Sequence, residues 1–111
     1  MRGAAIITAS VVAFFSSFDT KAAKARDWVT DGLNCIHRYE GDWDANTGNG
    51  YYGGLQMDYS FQRAYGSEYL RRWGTADNWP IWAQLNAGRR AYYSGRRWSP
   101  WPTTARMCGL Y

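Results

Sequence analysis

Glu40 is the side chain of this sequence best placed to donate a proton to a substrate. It lies where a predicted helix ends, and the dipole of a helix disfavours negative charge at that end. The neighbouring aromatic residues Tyr39 and Trp43 also disfavour the ionised carboxylate by limiting its hydration. Cleavage of a glycosidic bond requires a carboxylic acid that stays protonated beside a cleft. The competing hypothesis is a solvated glutamate at a helix end.

Glu68, the other glutamate, has different neighbours. Arg71 and Arg72 follow it by three and four residues, so a helix would place both guanidinium groups beside its carboxylate. Their positive charges favour the ionised form, which is a poor proton donor at neutral pH. We therefore expect Glu68 to be structural.

A second carboxylate near Glu40 would decide between hydrolysis and a route that uses one carboxyl group. Hydrolysis with retention needs it about 5–5.5 Å from the acid, and hydrolysis with inversion about 6.5–9.5 Å. The candidates are Asp42, Asp44 and Asp58. Asp58 is better explained as a helix cap, and the other two are typical of solvated loop residues. If none of them reaches the bond, Glu40 acts alone.

The first 25 residues have the features of a secretory signal peptide. A basic start at Arg2 precedes an apolar run over residues 4–15, and an A-x-A cleavage site follows at residues 23–25. The run is roughly a dozen residues long, shorter than the about 20 that a membrane helix needs. We therefore expect export and cleavage, which leaves residues 26–111 as one domain, secreted or associated with the cell wall. An uncleaved membrane anchor is the alternative.

Two cysteines, Cys35 and Cys108, lie near the two ends of that domain. In an exported protein they are expected to form a disulfide bond that closes nearly the whole fold. A catalytic Cys35 assisted by His37, the single histidine, is the rival hypothesis. With both cysteines oxidised, the sequence has no metal-ligand cluster of known spacing, so we expect neither a metal nor a cofactor.

The charge balance argues against nucleic acid as the ligand. The chain has 13 basic and 9 acidic residues, and loss of residues 1–25 would leave ten arginines and eight acidic residues. This small excess does not create the broad basic field of a nucleic-acid binder, although it favours approach to an anionic surface such as a cell wall.

Seven Trp, nine Tyr and four Phe residues argue against a disordered chain.

The elements that must position these side chains are mostly helical. The first predicted helix runs from about Asp27 to Tyr39 and stops at Gly41. Its inward stripe comprises Trp28, Gly32, Cys35, Ile36 and Tyr39. Further helices are predicted from Asp58 to Tyr65, from Ser67 to Trp73 and from Pro80 to Gly95. The last of these would turn one side inward, formed by Ile81, Leu85, Gly88 and Tyr92. Residues 96–111 are expected to be irregular chain that covers a core edge.

Between the first two helices, the segment over residues 44–56 has the sequence DANTGNGYYGGLQ. Asn49-Gly50 is typical of a tight hairpin turn with positive φ angles, and Tyr51-Tyr52 is typical of a strand. We therefore expect a small two-stranded ribbon here. The predicted fold class is α+β and mostly helical.

The same segment carries a resemblance to a known family. Trp43 and the run NTGNGYYGGLQ at residues 46–56 resemble the resuscitation-promoting factors and related actinobacterial transglycosylase-like proteins. The resemblance continues in AYG at residues 64–66 and in the C-terminal Trp-Pro-then-Cys pattern. It implies a small lysozyme-like fold, export, and cleavage of the β-1,4 bond between N-acetylmuramic acid and N-acetylglucosamine in peptidoglycan.

The resemblance also implies roles for individual residues. Glu40 would be the catalytic acid, and Trp43 would support the sugar groove. The residues that would line the groove are Thr47, Asn49, Tyr51 and Gln56. Hydroxyl, amide and phenol groups suit the hydroxyl and N-acetyl groups of such a glycan, and aromatic faces suit pyranose rings. We expect a monomer whose partner is the peptidoglycan strand.

One departure from the family pattern keeps two functions open. The family usually places its glutamate directly after the first cysteine, whereas four residues separate Cys35 from Glu40 here. The favoured function is a lytic transglycosylase, in which Glu40 protonates the leaving oxygen and then takes the proton of the C6 hydroxyl as a 1,6-anhydro ring closes. A lysozyme-type hydrolase is the other enzymatic route. The alternative function is a non-catalytic, secreted module that binds peptidoglycan while Glu40 is misaligned.

Overall fold

The computed structural model of the protein describes residues 28–111. The expected signal peptide over residues 1–25 and its cleavage site lie outside the described residues. Within residues 28–111, no helix is both long enough and apolar enough to cross a membrane.

Helices dominate this part of the chain. The α-helices are α1, which includes residues 28–40, α2 (Tyr59–Tyr65), α3 (Ser67–Trp73), α4 (Ile81–Ala91) and α5 (Pro102–Met107). A 3-10 helix, Ala76–Asn78, precedes α4, and a π-helical segment, Tyr92–Arg96, follows it. The mostly helical class expected from the sequence is therefore confirmed for residues 28–111.

Helix α1 packs a narrower face inward than the sequence pattern predicts. Its buried residues are Val29, Gly32, Leu33 and Ile36. A Cβ atom at Gly32 would lie 2.6 Å from the ring of Trp98, so the glycine allows this ring to pack directly against the helix. Trp28 and Tyr39, at the edge of the predicted stripe, are instead 51% and 53% exposed. The core contact of α1 is thus centred on its aliphatic residues.

Helices α2 and α3 begin and end as predicted. The Oδ1 atom of Asp58 accepts a hydrogen bond from the N–H of Phe61 at 2.8 Å, which caps α2. Gly66 ends α2 and precedes α3, and Gly74 ends α3 with a φ angle of 78°. Residues with a side chain rarely adopt that angle. Local chemistry therefore sets these boundaries.

Helix α4 packs into the core through small residues. Its fully buried residues include Ala83, Gln84, Ala87 and Ala91. A Cβ atom at Gly88 would lie 2.8 Å from Leu55 and 3.1 Å from Leu33, so the glycine allows both side chains to approach. The predicted inward face is only partly correct, because Ile81 is 48% exposed and Leu85 is half-buried. Small side chains occupy the inward positions because they allow α1 and the loop that carries Leu55 to pack closely against α4.

The C-terminal stretch contains a helix that the sequence analysis does not predict. Pro102 occupies the first turn of α5, where its missing N–H removes no helical hydrogen bond. Trp98 and Trp101 are buried before it, as expected of residues that cover a core edge. Cys35 and Cys108 form a disulfide bond with a Cα–Cα distance of 6.0 Å, which confirms the predicted pairing. No free thiol remains for the rival catalytic role of Cys35.

The expected two-stranded ribbon is not found among residues 28–111. Two isolated antiparallel bridges replace it, one between Asn46 and Tyr52 and the other between Tyr52 and Met57. The N–H of Tyr52 bonds to the C=O of Met57 at 3.1 Å, and the N–H of Met57 bonds back at 3.0 Å. This pair of bonds closes a turn over residues 53–56, and each bridge stays isolated instead of extending into a ladder.

Candidate active site

Glu40 is the last residue of α1 and is half-buried. The hydroxyl of Thr104 on α5 donates a hydrogen bond to its Oε2 atom at 2.8 Å. A hydroxyl can donate or accept, so this contact suits both the ionised and the protonated carboxyl group. No further hydrogen bond or ion pair of Glu40 is found within residues 28–111, so its Oε1 atom is not bound by another described side chain.

Two links between α1 and α5 fix the position of Glu40. One is the hydrogen bond from Thr104, and the other is the disulfide bond between Cys35 and Cys108. Cys35 precedes Glu40 by five residues, which is about 7.5 Å along the axis of α1. The N–H of Cys108 bonds to the C=O of Thr104 at 3.0 Å, so both links leave α5 from the same turn. The four residues between Cys35 and Glu40 are thus accommodated within one continuous helix.

A buried glutamine that the sequence analysis missed holds the segment after Glu40. Gln84 on α4 donates through Nε2 to the C=O of Trp43 at 2.8 Å and accepts through Oε1 from the N–H of Gly54 at 2.9 Å. Its side chain is fully buried, so these bonds satisfy polar groups that have no access to water. The sequence signal that could have revealed this role is the position of Gln84, a polar residue that follows Ala83 and has the inward register of the predicted helix.

Trp43 packs on His37, with the ring centroids 3.9 Å apart and an interplanar angle of 18°. Gly54 covers the pair, since a Cβ atom there would lie 2.7 Å from Nδ1 of His37. His37 is therefore half-buried, and its Nδ1 atom has no hydrogen-bond partner in the described chain. The role of Trp43 in supporting a sugar groove stays a prediction.

Local hydrogen bonds join most of the motif residues to one another. Asn49 accepts through Oδ1 from the N–H of Tyr51 at 3.0 Å, and its Nδ2 atom donates to Oε1 of Gln56 at 3.4 Å. The Nε2 atom of Gln56 donates to the C=O of Gly53 at 3.0 Å. Thr47 is exposed, and the described contacts do not join it to this network. The loop thus orients the amide of Gln56 from two sides.

An open groove of about 460 Å³ lies between α2 and the C-terminal stretch. Its walls include Tyr51 and Gln56, which are two of the predicted sugar-binding residues. The rings of Phe61, Tyr65 and Trp101 also line it. Aromatic faces suit pyranose rings, and an amide suits their N-acetyl groups. The volume lies within the range of pockets that bind small ligands.

Glu40 adjoins this groove through neighbouring residues and is not part of its lining. A Cβ atom at Gly41, the next residue along the chain, would lie 3.3 Å from Nε2 of Gln56. Trp101, another lining residue, is the N-cap of α5, the helix that carries Thr104. Three residues that the sequence predicts to bind or support the sugar also lie outside the lining, namely Trp43, Thr47 and Asn49.

The candidates for a second carboxylate have different surroundings. Asp58 lines the groove, and its Oδ1 atom is occupied by the helix cap that the sequence predicts. Asp42 and Asp44 are exposed. None of the three forms a hydrogen bond with Glu40 in the part of the chain that the structure describes. Within residues 28–111, no group of three or more His, Cys, Asp or Glu side chains is arranged to hold a metal ion.

Glu68 forms a bidentate ion pair with Arg90 of α4, with N–O distances of 3.0 and 2.8 Å. This hydrogen-bonded pair lowers the pKa of Glu68, and the charge of Arg71 adds a smaller effect. The predicted direction is confirmed, but the main partner differs from the helical neighbours that the sequence indicates. Arg90, on the neighbouring helix, presents two nitrogens of its guanidinium fork to the two oxygens of the carboxylate.

Comparison with known proteins supports the resemblance found in the sequence. No family model matches the chain. The chain is similar to the resuscitation-promoting factor Rpf1 of Corynebacterium glutamicum, with 30% identity over 106 residues. The match covers 94% of this chain and 53% of the relative, so the chain spans about half of the relative's length. The similarity to the resuscitation-promoting factors is thereby confirmed.

Proposed function

We propose that this Rpf-like chain cleaves the glycan strands of peptidoglycan at the β-1,4 bond between N-acetylmuramic acid and N-acetylglucosamine. The similarity to Rpf1 supports a lysozyme-like, muralytic enzyme that acts outside the cell or at the wall. The observation that carries the proposal is the setting of Glu40, a half-buried carboxyl group that Thr104 holds at Oε2 beside an aromatic groove.

In the first step, Glu40 transfers a proton to the glycosidic oxygen as the bond from that oxygen to C1 of the muramic acid breaks. The proton leaves from Oε1, because Oε2 is bound by the hydroxyl of Thr104. The same hydroxyl then donates to the carboxylate that forms, which stabilises its new charge. Positive charge develops at C1 as the leaving sugar departs.

In the second step, the Glu40 carboxylate removes the proton from the C6 hydroxyl of the muramic acid. The C6 oxygen bonds to C1, which closes a 1,6-anhydro ring and returns Glu40 to its protonated form. This lytic transglycosylase route consumes no water and needs one carboxyl group. The capping role of Asp58 favours it, because this carboxyl group lines the groove but has an oxygen committed to the N-terminus of α2.

The test is the chemistry of the released fragments. Purified protein is incubated with insoluble peptidoglycan, and the soluble products are identified by mass spectrometry. We expect fragments that end in 1,6-anhydromuramic acid, which are 18 mass units lighter than hydrolysis products because no water has been added. Products with only reducing muramic ends would replace the transglycosylase route with a lysozyme-type hydrolase.

A second candidate function is a wall-binding module without turnover. It is favoured by one observation, namely that Glu40 lies outside the lining of the groove. Tight binding to peptidoglycan with no release of fragments, both in the wild type and in Glu40→Gln, would establish this function and reject the enzyme. Binding in both proteins with release only in the wild type would reject the module.

A further inference from the structure

Arg96 is the basic residue in the lining of the groove. It is exposed and belongs to the π-helical segment that follows α4. Its guanidinium carbon lies 5.7 Å from the ring centroid of Phe61 and 6.0 Å from that of Tyr65, both of which also line the groove. The two rings therefore hold a positive charge over the aromatic wall of the groove.

No carboxylate neutralises this charge within residues 28–111. The ion pair found in the described chain joins Arg90 to Glu68 and does not involve Arg96. The hydrogen bond with Ser94 lowers the pKa of Tyr65, and contact with Arg96 and its charge act in the same direction. Arg96 thus retains the capacity to bind an anionic group of a ligand.

The acidic residue of the lining is Asp58, which forms no ion pair with Arg96 in the described chain. Asp58 precedes the first turn of α2, whereas Tyr65 ends this helix, about 10 Å further along its axis. A ligand that carries a carboxylate would be repelled near Asp58 and attracted near Arg96. The lining therefore carries one acidic and one basic side chain that are not paired with each other, which neutral sugars alone do not require.

We propose that Arg96 binds a carboxylate attached to the glycan strand, and that it gives the groove a preference for glycans containing muramic acid over neutral polymers of N-acetylglucosamine. This inference rests on the proposed function. Muramic acid carries a lactyl group whose carboxyl is either free or joined to a stem peptide, and stem peptides carry carboxylates of their own. Both sources present the same chemical group, and a guanidinium fork matches it.

The test measures binding by titration calorimetry in the Glu40→Gln background, so that no ligand is cleaved. Three ligands of equal sugar length are compared: chito-oligosaccharide, peptide-free glycan with free lactyl groups, and glycan that keeps its stem peptides. Arg96→Gln removes the charge, and Arg96→Lys keeps it. Arg63→Gln is the matched control, because Arg63 is an exposed arginine of α2 that lies over Tyr59 and outside the groove lining.

With Arg96 intact, we expect about 5- to 10-fold tighter binding of at least one carboxylate-bearing glycan than of chito-oligosaccharide, a ratio that falls as salt is raised. Arg63→Gln should keep this ratio, Arg96→Lys should keep part of it, and Arg96→Gln should bring it close to one. The carboxylate-bearing glycan that shows the preference identifies the lactyl or the peptide carboxylate as the source.

Two results would overturn the inference. One is the absence of any preference when Arg96 is intact, and the other is the same ratio in Arg96→Gln as in Arg63→Gln. If Arg96→Gln fails to fold, the salt dependence and the Arg96→Lys variant still test the inference. An affinity ratio between carboxylate-bearing glycan and chito-oligosaccharide that changes with neither of them would contradict it. Failure to bind any of the three glycans would instead contradict the proposed function itself.

Discussion

The two glutamates of this chain occupy opposite electrostatic settings. Glu40 is half-buried at the end of α1 and is bound by the neutral hydroxyl of Thr104. Glu68 lies on the surface and is bound by Arg90, with side-chain exposures of 46% and 41% for the acid and the base. A fixed cation commits a carboxyl group to its ionised form, whereas a hydroxyl accommodates both forms. Of these two side chains, Glu40 is therefore the one suited to cycling a proton.

The largest expected effect comes from removing the carboxyl group of Glu40, and the same change at Glu68 provides the comparison. Glu40→Gln keeps the shape and polarity of the side chain but has no acidic proton, so release of fragments from peptidoglycan should fall about 10²- to 10⁴-fold. Glu68→Gln is the matched control and should retain wild-type release, because Glu68 contacts α4 rather than the groove. Release rates and binding are measured for both. Equal losses in the two variants would show that the comparison between the glutamates is wrong.

The disulfide bond is expected to stabilise the Glu40 region more than any surface ion pair does. The bond closes a loop with a sequence separation of 73. Replacing Cys35 and Cys108 together by serine should therefore lower the free energy of unfolding by about 4 kcal/mol. Denaturant unfolding of the variant, and of the wild type with and without a reducing agent, measures this loss. Equal midpoints in all three samples would contradict the prediction.

The hydroxyl of Thr104 should matter for turnover more than for folding. Thr104→Val keeps the side-chain shape and removes the hydrogen bond to Oε2, which is worth about 1.5–3 kcal/mol to an ionised partner, so release should fall about 10- to 100-fold. Thr104→Ser restores the hydroxyl and should restore most of the rate. If the serine and valine variants lose the same activity, the hydroxyl does not assist Glu40.

The smallest effect concerns the stability that the Glu68–Arg90 pair provides. The hydrogen bonds from Arg90 lower the pKa of Glu68 below the ordinary value of 4.5. The pair therefore stabilises the folded state above about pH 4.5, and this stabilisation is lost as the pH falls through the lower pKa of the folded state. Because the pair is exposed, Glu68→Gln should lower the free energy of unfolding by less than about 1 kcal/mol at pH 7. Unfolding curves at pH 7 and pH 3 should differ between variant and wild type only at the higher pH. A larger difference at pH 3 would contradict this assignment.

The features predicted correctly from the sequence depend on interactions over a few residues. The cap at Asp58 and the helix ends at Gly66 and Gly74 need only a side-chain oxygen or a flexible backbone at one position. The pairing of Cys35 with Cys108 follows because the chain offers no other cysteine. In each case the sequence leaves few alternatives.

The features that were missed depend on residues far apart in the chain. Instead of a ribbon, the loop has an isolated pairing of Tyr52 with Met57, which closes a turn over residues 53–56. Gln84 lies 41 residues beyond Trp43, and the nitrogen and oxygen of its side-chain amide hold the segment after Glu40 through hydrogen bonds to Trp43 and Gly54. The sequence contained this glutamine but not the packing that buries it.

The sequence by itself determined the helical class, the helix caps, the disulfide pairing and the choice of Glu40 as the acid to test. The tertiary structure decided that Thr104 binds Glu40 across 64 residues, that Arg90 binds Glu68, and that Tyr51 and Gln56 line the groove. The physical reason is the range of the interactions. Propensities, caps and charge depend on near neighbours, whereas the partner of a carboxyl group is fixed only when packed helices bring distant side chains within hydrogen-bonding distance.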